Sequence, residues 1–316
     1  MAVSQKQIAE SLGVSITLVS RVLSGKAHEV GIAEATVERV LKAADEMGYV
    51  PSAAALTLKG KSTSTIGVVV YDFKDPFFGA MIEELQEQAH RHAYSLVLTG
   101  FRKRIPEPED LAPLHKHAID GLILLGSDER AAWLDEFNGM SVARIGHGSC
   151  DEQSVRIAID EDDAADQLLQ YLSSTGYRNL VFLRENFPAH RLRYASLEKE
   201  AEKHGCRVRC VQSASWAYAA GFDETKRILE SGSEEAVVCA TDKIAMGALH
   251  AMHEAGRWLP VTGFDDIPAA AQFLPPITTV RQPIGEIARQ AFDAVVKPIE
   301  PSEVLLKGTL MVRSSA

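Results

Sequence analysis

Cysteine is scarce in this 316-residue chain, with four residues at positions 150, 206, 210 and 239. Four scattered thiols do not make a disulfide framework. Cys206 and Cys210 lack the second ligand pair of a zinc site, so no metal is expected and a reducing cytoplasm is. Long apolar runs are missing as well. None approaches the ~18 residues of a membrane span. The opening Met1-Ala2-Val3-Ser4-Gln5-Lys6-Gln7 passes straight into polar helix without a signal-peptide core. The chain therefore reads as cytoplasmic, with no membrane partner. There is no Gly-rich phosphate loop, nucleophile elbow or metalloprotease motif. His250-x-x-His253 stands at metal-like spacing on a helix, but no third-ligand pattern completes a site, and it reads as a solvated helix face. No catalytic residue and no cofactor is expected.

An excess of positive charge is also missing, since the net charge is -10. The imbalance is uneven. Residues 1–61 hold seven lysines and arginines against six acidic residues, a net +1, and leave -11 for the remainder. A strongly acidic body would not lie on nucleic acid, whereas the first sixty residues could approach it weakly. What is present is an ordinary globular composition, 46% hydrophobic, long enough for two or three domains.

The first stretch, Ile8 to Arg21, has the form of a helix-turn-helix. Ser4 caps a helix over Gln5 to Leu12, Gly13 turns the chain, and Ser15 caps a second helix. Val19, Val22 and Leu23 repeat at helical spacing and face inward, which leaves Ile16, Thr17, Ser20 and Arg21 outward. Arginine binds guanine O6 and N7 bidentately, and small polar residues at a helix start reach bases or phosphates. A third helix from Ala33 to Met47 is expected to bury Val37, Val40, Leu41, Ala44 and Met47. Pro51 then starts a short Ala-rich helix over Ser52 to Leu58, too short to stand alone. Leu58 is placed to wedge into a minor-groove step.

Beyond Ser62 short β-branched runs alternate with amphipathic helices. Strands are expected at Ile66–Tyr71, Tyr94–Thr99, Gly121–Leu125, Val142–Gly146, Arg156–Asp160, Leu180–Leu183, Val208–Gln212, Ala236–Ala240 and Val261–Phe264. The helices between them include Pro76–His92, Asp162–Thr175, Arg191–His204 and Asp242–Ala255. This alternation implies parallel sheets covered on both faces, and the number of units favours two α/β lobes.

The motifs resemble one family. Ile8-Ala9, Gly13-Val14-Ser15, Val19-Ser20-Arg21-Val22-Leu23 and Gly48-Tyr49-x-Pro51 are similar to the head of lactose-repressor (LacI/GalR) transcription regulators. Asp75-Pro76-Phe77-Phe78, Thr241-Asp242, Gly263-Phe264-Asp265-Asp266 and Thr278-Thr279-Val280-Arg281-Gln282-Pro283 continue the likeness in order. The resemblance implies a fold class of an N-terminal all-α helix-turn-helix head plus a two-lobed α/β core of the type I periplasmic-binding-protein kind. It implies a head over 1–48, a hinge helix and linker over 49–61, and a core over 62–316. The first lobe is expected at about 62–160 and 281–300, the second at about 161–280 and 301–316. It further implies a homodimer on a palindromic operator. Ser4, Ser15 and Ser20 would serve at caps or phosphates, Ile16 and Thr17 would read bases, Arg21 would reach base or backbone, and Leu58 would be the wedge. The family usually has Thr at Leu18, Asn at Ser52, Arg at Leu56 and Ser at Ala33, so backbone contacts are fewer here.

For the core, the resemblance implies a small polar effector, of sugar or nucleoside class, in the cleft between lobes. Arg193 matches the family's effector-clamping arginine and Asp265 its effector-binding carboxylate, although an ion pair between lobes would use the same residues. Asp72, Phe77 and Phe78 follow the first strand, where ligands of α/β sheets sit; the two phenylalanines could equally be helix-start core. Trp216 stands where a stacking aromatic is common, Thr241 replaces a common Asn, and His147 follows the fourth strand. The competing readings are a transport-type solute-binding protein and an α/β enzyme with a helical appendage. The attached head opposes the first and the lack of catalytic motifs the second. With no leucine-rich tail after Arg313-Ser314-Ser315, a dimer is expected over a tail-linked tetramer.

Overall fold

The structure is a computed structural model that describes residues 3–49, 62–100, 107–126, 132–146, 154–297 and 300–316. The hinge with Ser52, Leu56 and Leu58, and also His147 and Cys150, lie outside the described residues. The chain divides into two compact units, Met1–Thr63 and Ser64–Ala316.

Among its described residues the first unit holds three α-helices, α1 (Gln5–Leu12), α2 (Ile16–Leu23) and α3 (Glu34–Glu46). Ser4 caps α1 in a reciprocal arrangement: its side chain accepts from the Gln7 amide, and Gln7 Oε1 accepts from the Ser4 amide at 2.8 Å. Such a box satisfies two amides that the helix itself leaves without partners. Gly13 ends α1 in the left-handed region at φ 65°, which a side chain would resist. Ile8, Ala9, Val19, Val22, Ala27, Val40 and Ala44 make the core. Leu23, Val37 and Met47 pack at its margin. Leu41, expected in that core, is instead 48% exposed. The buried stripe of α3 follows 37, 40, 44 and 47, and position 41 falls just past its edge. Ala33 stands at the N-cap of α3 without a side-chain hydrogen bond, so that helix starts uncapped.

The second unit contains two six-stranded sheets. The first is built from β1 (Thr65–Val70), β2 (Ser95–Gly100), β3 (Gly121–Leu125), β4 (Ser141–Ile145), β5 (Ser154–Ile159) and β11 (Ser302–Leu306), in the order β11-β5-β4-β3-β1-β2 and parallel throughout. The second is built from β6 (Asn179–Arg184), β7 (Arg207–Gln212), β8 (Ala236–Cys239), β9 (Val261–Asp265), β10 (Thr278–Arg281) and β12 (Thr309–Met311), in the order β12-β10-β9-β8-β6-β7, with only β12 antiparallel. The first sheet's helices are α4 (Pro76–Arg91), α5 (Pro108–His117) and α11 (Ile284–Val296); the second's include α6 (Glu161–Ser174), α7 (Pro188–Ala201), α8 (Tyr218–Ser231), α9 (Asp242–Ala255) and α10 (Pro268–Gln272). All nine expected strands are present within a residue or two at their ends. Helix α7 begins at Pro188, a turn before the expected Arg191.

Apolar side chains leave both faces of each strand. Ile66, Val68 and Val70 join Met81, Leu85 and Phe292 on one side of the first sheet, while Val69 joins Leu111, Leu114 and Phe137 on the other. This is the two-sided burial expected of parallel sheets. The chain crosses between lobes after β5, after β10 and again after β11. The last crossing corrects the expected boundary. Ser302–Leu306 pairs with β5 from Ser302↔Val155 to Leu306↔Ile159, so the first lobe runs through residue 306 and does not stop at 300. A five-residue strand carries no sign of which sheet it will join.

Candidate nucleic-acid interface and ligand cavity

The outward face of α2 is built as the sequence suggests. Ile16 is 49% exposed, and Thr17 and Arg21 are exposed beside it, with Ser20 half-buried. Positions 16 and 20, and 17 and 21, stack one turn apart on one side of the helix. Ser15 Oγ accepts from the Leu18 amide at 3.2 Å, so this hydroxyl holds the helix start in place. Ser4 likewise spends its hydroxyl on Gln7. Leu18 is half-buried against the head core and has an apolar contact where a hydroxyl would be polar. Ser15→Ala is expected to loosen the start of α2 by about 1 kcal/mol, seen as roughly fivefold faster amide exchange in that helix.

In the second unit both sheets run the same 2-1-3-4-5 course, with the first strand between the second and third. The crevice at such a switch point, outside the carboxyl ends of the strands, is where open α/β sheets bind ligands. Here the two crevices face each other across one cavity, about 970 Å³ counting its open mouth. Seven of the eight residues expected to meet an effector line it: Asp72, Phe77, Phe78, Arg193, Trp216, Thr241 and Asp265. The eighth, His147, lies outside the described residues.

Each arrives by local chemistry. Asp75 caps α4, its carboxylate accepting from the Phe77 amide at 3.0 Å, and this sets the two phenylalanines at the helix start. Their rings meet edge to face at 5.7 Å. Phe78 lies over Gly126, where a Cβ would stand 3.0 Å from its Cε1. Both rings therefore pack locally and also wall the cavity. Thr241 caps α9, its hydroxyl accepting from the Ile244 amide at 3.3 Å, so that oxygen is already engaged. Trp216 is 48% exposed. It precedes Ala217, whose φ of 49° and ψ of -121° are unusual for a residue with a Cβ. The Glu185 carboxylate accepts from the Ala217 amide and holds this turn.

Arg193 lines the cavity and is also held within its own lobe. Its Nε and Nη2 grip the Glu161 carboxylate at 2.9 and 2.8 Å, its Nη1 donates to the Ala240 carbonyl, and its guanidinium lies 3.2 Å from the centre of the Phe264 ring. Arg193 is 6% and Glu161 7% exposed. Both sit on helices of the second lobe, so this is a pair within a lobe and not between lobes. Among the described residues an ion pair that spans the cleft joins Lys243 to Asp75 at 3.3 Å. Tyr71 and Phe187 also meet across it, centroids 5.3 Å apart. Gln282 donates to Asp265 Oδ1 at 2.7 Å. Burial raises the Asp265 carboxyl well above the usual carboxylate range; Arg193 and the Gln282 hydrogen bond oppose the rise, and Asp242 and Asp75 add to it. Burial also lifts Asp242 to about 7, against its hydrogen bonds from Thr279 and the Ile267 amide.

Glu185, Lys243, Gln282 and Glu161 are not evident from sequence as parts of this site. For Glu185 a signal exists: it directly follows β6, the place in the second lobe that Tyr71 and Asp72 hold after β1 in the first. Among the described residues no group of three His, Cys, Asp or Glu converges as a metal site, and no helix is long and apolar enough to cross a membrane.

Comparison with known proteins agrees with this layout. The model of bacterial regulatory proteins of the lacI family matches residues 5–52, and that of the periplasmic binding protein-like domain matches residues 169–316. The HTH-type transcriptional regulator RegA of Clostridium saccharobutylicum is 29% identical over 318 residues, covering 96% of this chain and 95% of that protein. The HTH-type transcriptional repressor PurR of Vibrio campbellii is 27% identical, covering 94% and 92%. In fold, the chain is similar to the lac repressor dimer bound to operator and the anti-inducer ONPF, with TM-score 0.83 and 22% identity over 100% of this chain and 99% of that one. It is also similar to the transcriptional regulator CelR in complex with cellobiose, with TM-score 0.69 and 25% identity over 99% and 100%. With the capped helix-turn-helix and the paired 2-1-3-4-5 sheets, these likenesses show a lacI-family helix-turn-helix domain joined to a periplasmic binding protein-like core, the make-up of a DNA-binding transcription regulator with an effector-binding core.

Proposed function

We propose that the protein is a cytoplasmic repressor that binds a palindromic operator as a homodimer and is switched by a small, sugar-like effector in the interlobe cavity, without catalysis of its own. The convergence of seven sequence-selected residues on one cavity between the lobes carries this reading. Relatives support its parts. The PurR proteins are named repressors, the lac repressor binds operator as a dimer, and CelR and an Enterococcus faecium regulator hold cellobiose and ribose. A ligand can move the equilibrium only by binding one lobe arrangement better than another, and the cavity walls come from both lobes. The head residues Ser4, Ser15, Ile16, Thr17, Ser20 and Arg21 form the operator face in this reading, with Leu58 as the minor-groove wedge.

The test is selection of duplexes from a random pool at low salt, followed by anisotropy on the enriched sequence. Sequence-preferring binding is expected, and its absence sinks the proposal. Arg21→Ala is expected to weaken the enriched site by about 5- to 150-fold, the worth of one bidentate base contact. Its binding to arbitrary DNA should fall much less. Equal loss on both would make Arg21 a phosphate contact.

A further inference from the structure

Two helix starts meet across the cleft. Asp75 heads α4 of the first lobe, and Lys243 stands in the first turn of α9 of the second. The Asp75 carboxylate divides its oxygens between the lobes. Oδ1 accepts from the Phe77 amide at 3.0 Å and caps its own helix, while Oδ2 accepts from Lys243 Nζ at 3.3 Å. Lys243 does not stand where its own helix favours it. The amides left exposed at a helix start disfavour a cation there. Among the described residues its ion-pair partner is Asp75, on the other lobe. A residue that breaks a local rule and finds its compensation across a cleft belongs to the working of that cleft.

The pair also sits where lobe motion is largest. The crossings between lobes are short: Asp160 alone separates β5 from α6, Gln282 and Pro283 separate β10 from α11, and Lys307 and Gly308 separate β11 from β12. They are packed on one another, since a Cβ at Gly308 would stand 2.8 Å from Val280 Cγ1 and 2.9 Å from Ile159 Cδ1. This pivot lies at one edge of both sheets. Helix α4 follows β1, three strands from β5, and α9 follows β8, two strands from β10. At about 4.8 Å per strand these are lever arms of about 14 and 10 Å. A rotation of about 15° would part the two side chains by about 3 Å, enough to break their contact. We propose that Asp75 and Lys243 form an electrostatic latch that holds the lobes together without a ligand, so that the lobe angle is already biased before one arrives. The latch acts on the lobes themselves, so it stands or falls apart from the effector-binding reading above.

Distances between spin labels read the lobe angle. In full-length chain with its four cysteines replaced by alanine, labels are placed at Ala112→Cys in α5 and Ala195→Cys in α7. Both positions are exposed, on helices beside the sheet edges away from the pivot. Excess unlabelled chain isolates each labelled one, and no ligand is added. Lys243→Met is expected to lower the ratio of short to long distances about two- to fivefold, the worth of a partly exposed pair. The long distances should exceed the short by about 3 Å or more. Asp75→Asn keeps a capping oxygen for α4 and should open the cleft equally; the two substitutions together should open it no further. Lys243→Glu sets a second carboxylate opposite Asp75 and should open the cleft most, although an acid suits the start of α9 better than a lysine does. Adding Asp75→Asn should reverse part of that opening. At about 1 M salt, where the Debye length is about 3 Å, the unaltered pair should behave like Lys243→Met, and Lys243→Met should change little further. Distances that ignore Lys243→Met and Lys243→Glu overturn the latch. So do additive effects of Lys243→Met and Asp75→Asn, or opening confined to variants that lose helical circular dichroism.

Discussion

Gly247→Ala is expected to destabilise the core by about 3 kcal/mol, the upper end of what overpacking costs, and to lower its melting temperature by roughly 6–12 °C. Helices α8 and α9 cross with backbone against backbone. A Cβ at Gly247 would press into the Tyr218 carbonyl oxygen and stand 2.8 Å from the Phe222 nitrogen. The facing Gly221 is placed alike, its Cβ 2.9 Å from the Ala248 nitrogen and against the Ile244 carbonyl. No side chain can rotate away to relieve such a clash, so the helices must part. They would carry with them Thr241 at the start of α9 and Trp216 just before α8. Gly79 in α4 is the control, because nothing lies within 4 Å of its added Cβ. There the same substitution should gain about 0.5–1 kcal/mol from helix propensity and a less free unfolded chain. Urea denaturation of the two variants checks both signs, and similar midpoints would refute the close-crossing argument.

The second large effect concerns Glu161. Glu161→Ala should cost about 3–5 kcal/mol, because it strands the Arg193 guanidinium in a buried site. The same principle makes a sharper comparison available. Glu161→Leu combined with Arg193→Met removes both charges and keeps the volume, so it should restore much of the loss. If the double variant is as unstable as Glu161→Ala alone, the pair contributes through packing over Phe264 and not through charge. Comparing all variants by denaturant midpoint at one pH separates the two.

The head and the strand-helix alternation are legible in the sequence because their signals are local. Ser4 and Ser15 precede apolar periodicity, Gly13 follows it, and a buried parallel strand is a short β-branched run wherever it sits. The cavity is legible for a similar reason, since a residue just after a strand reaches the crevice whatever the partner lobe does. What is not legible depends on distant partners. Glu161 and Arg193 lie 32 positions apart on helices whose other charges are solvated, and nothing local marks them as a buried pair. Leu41 reads as core because its spacing allows it, but a three-helix head has too little interior to cover the margin of the α3 stripe. Strands of three to five residues such as β10, β11 and β12 are too short to show a period.

The return of the chain at residues 302–311 has a consequence for how the protein comes into being. The first sheet lacks an edge strand until Ser302–Leu306 is made, and the second lacks one until Thr309–Met311 follows. During synthesis neither lobe can close its hydrogen-bond ladder ahead of the other, although the first five strands of the first sheet leave the ribosome more than a hundred residues earlier. The two halves of the sensor must therefore reach their final form nearly together, with the cleft enclosed in the same event that finishes both of its walls.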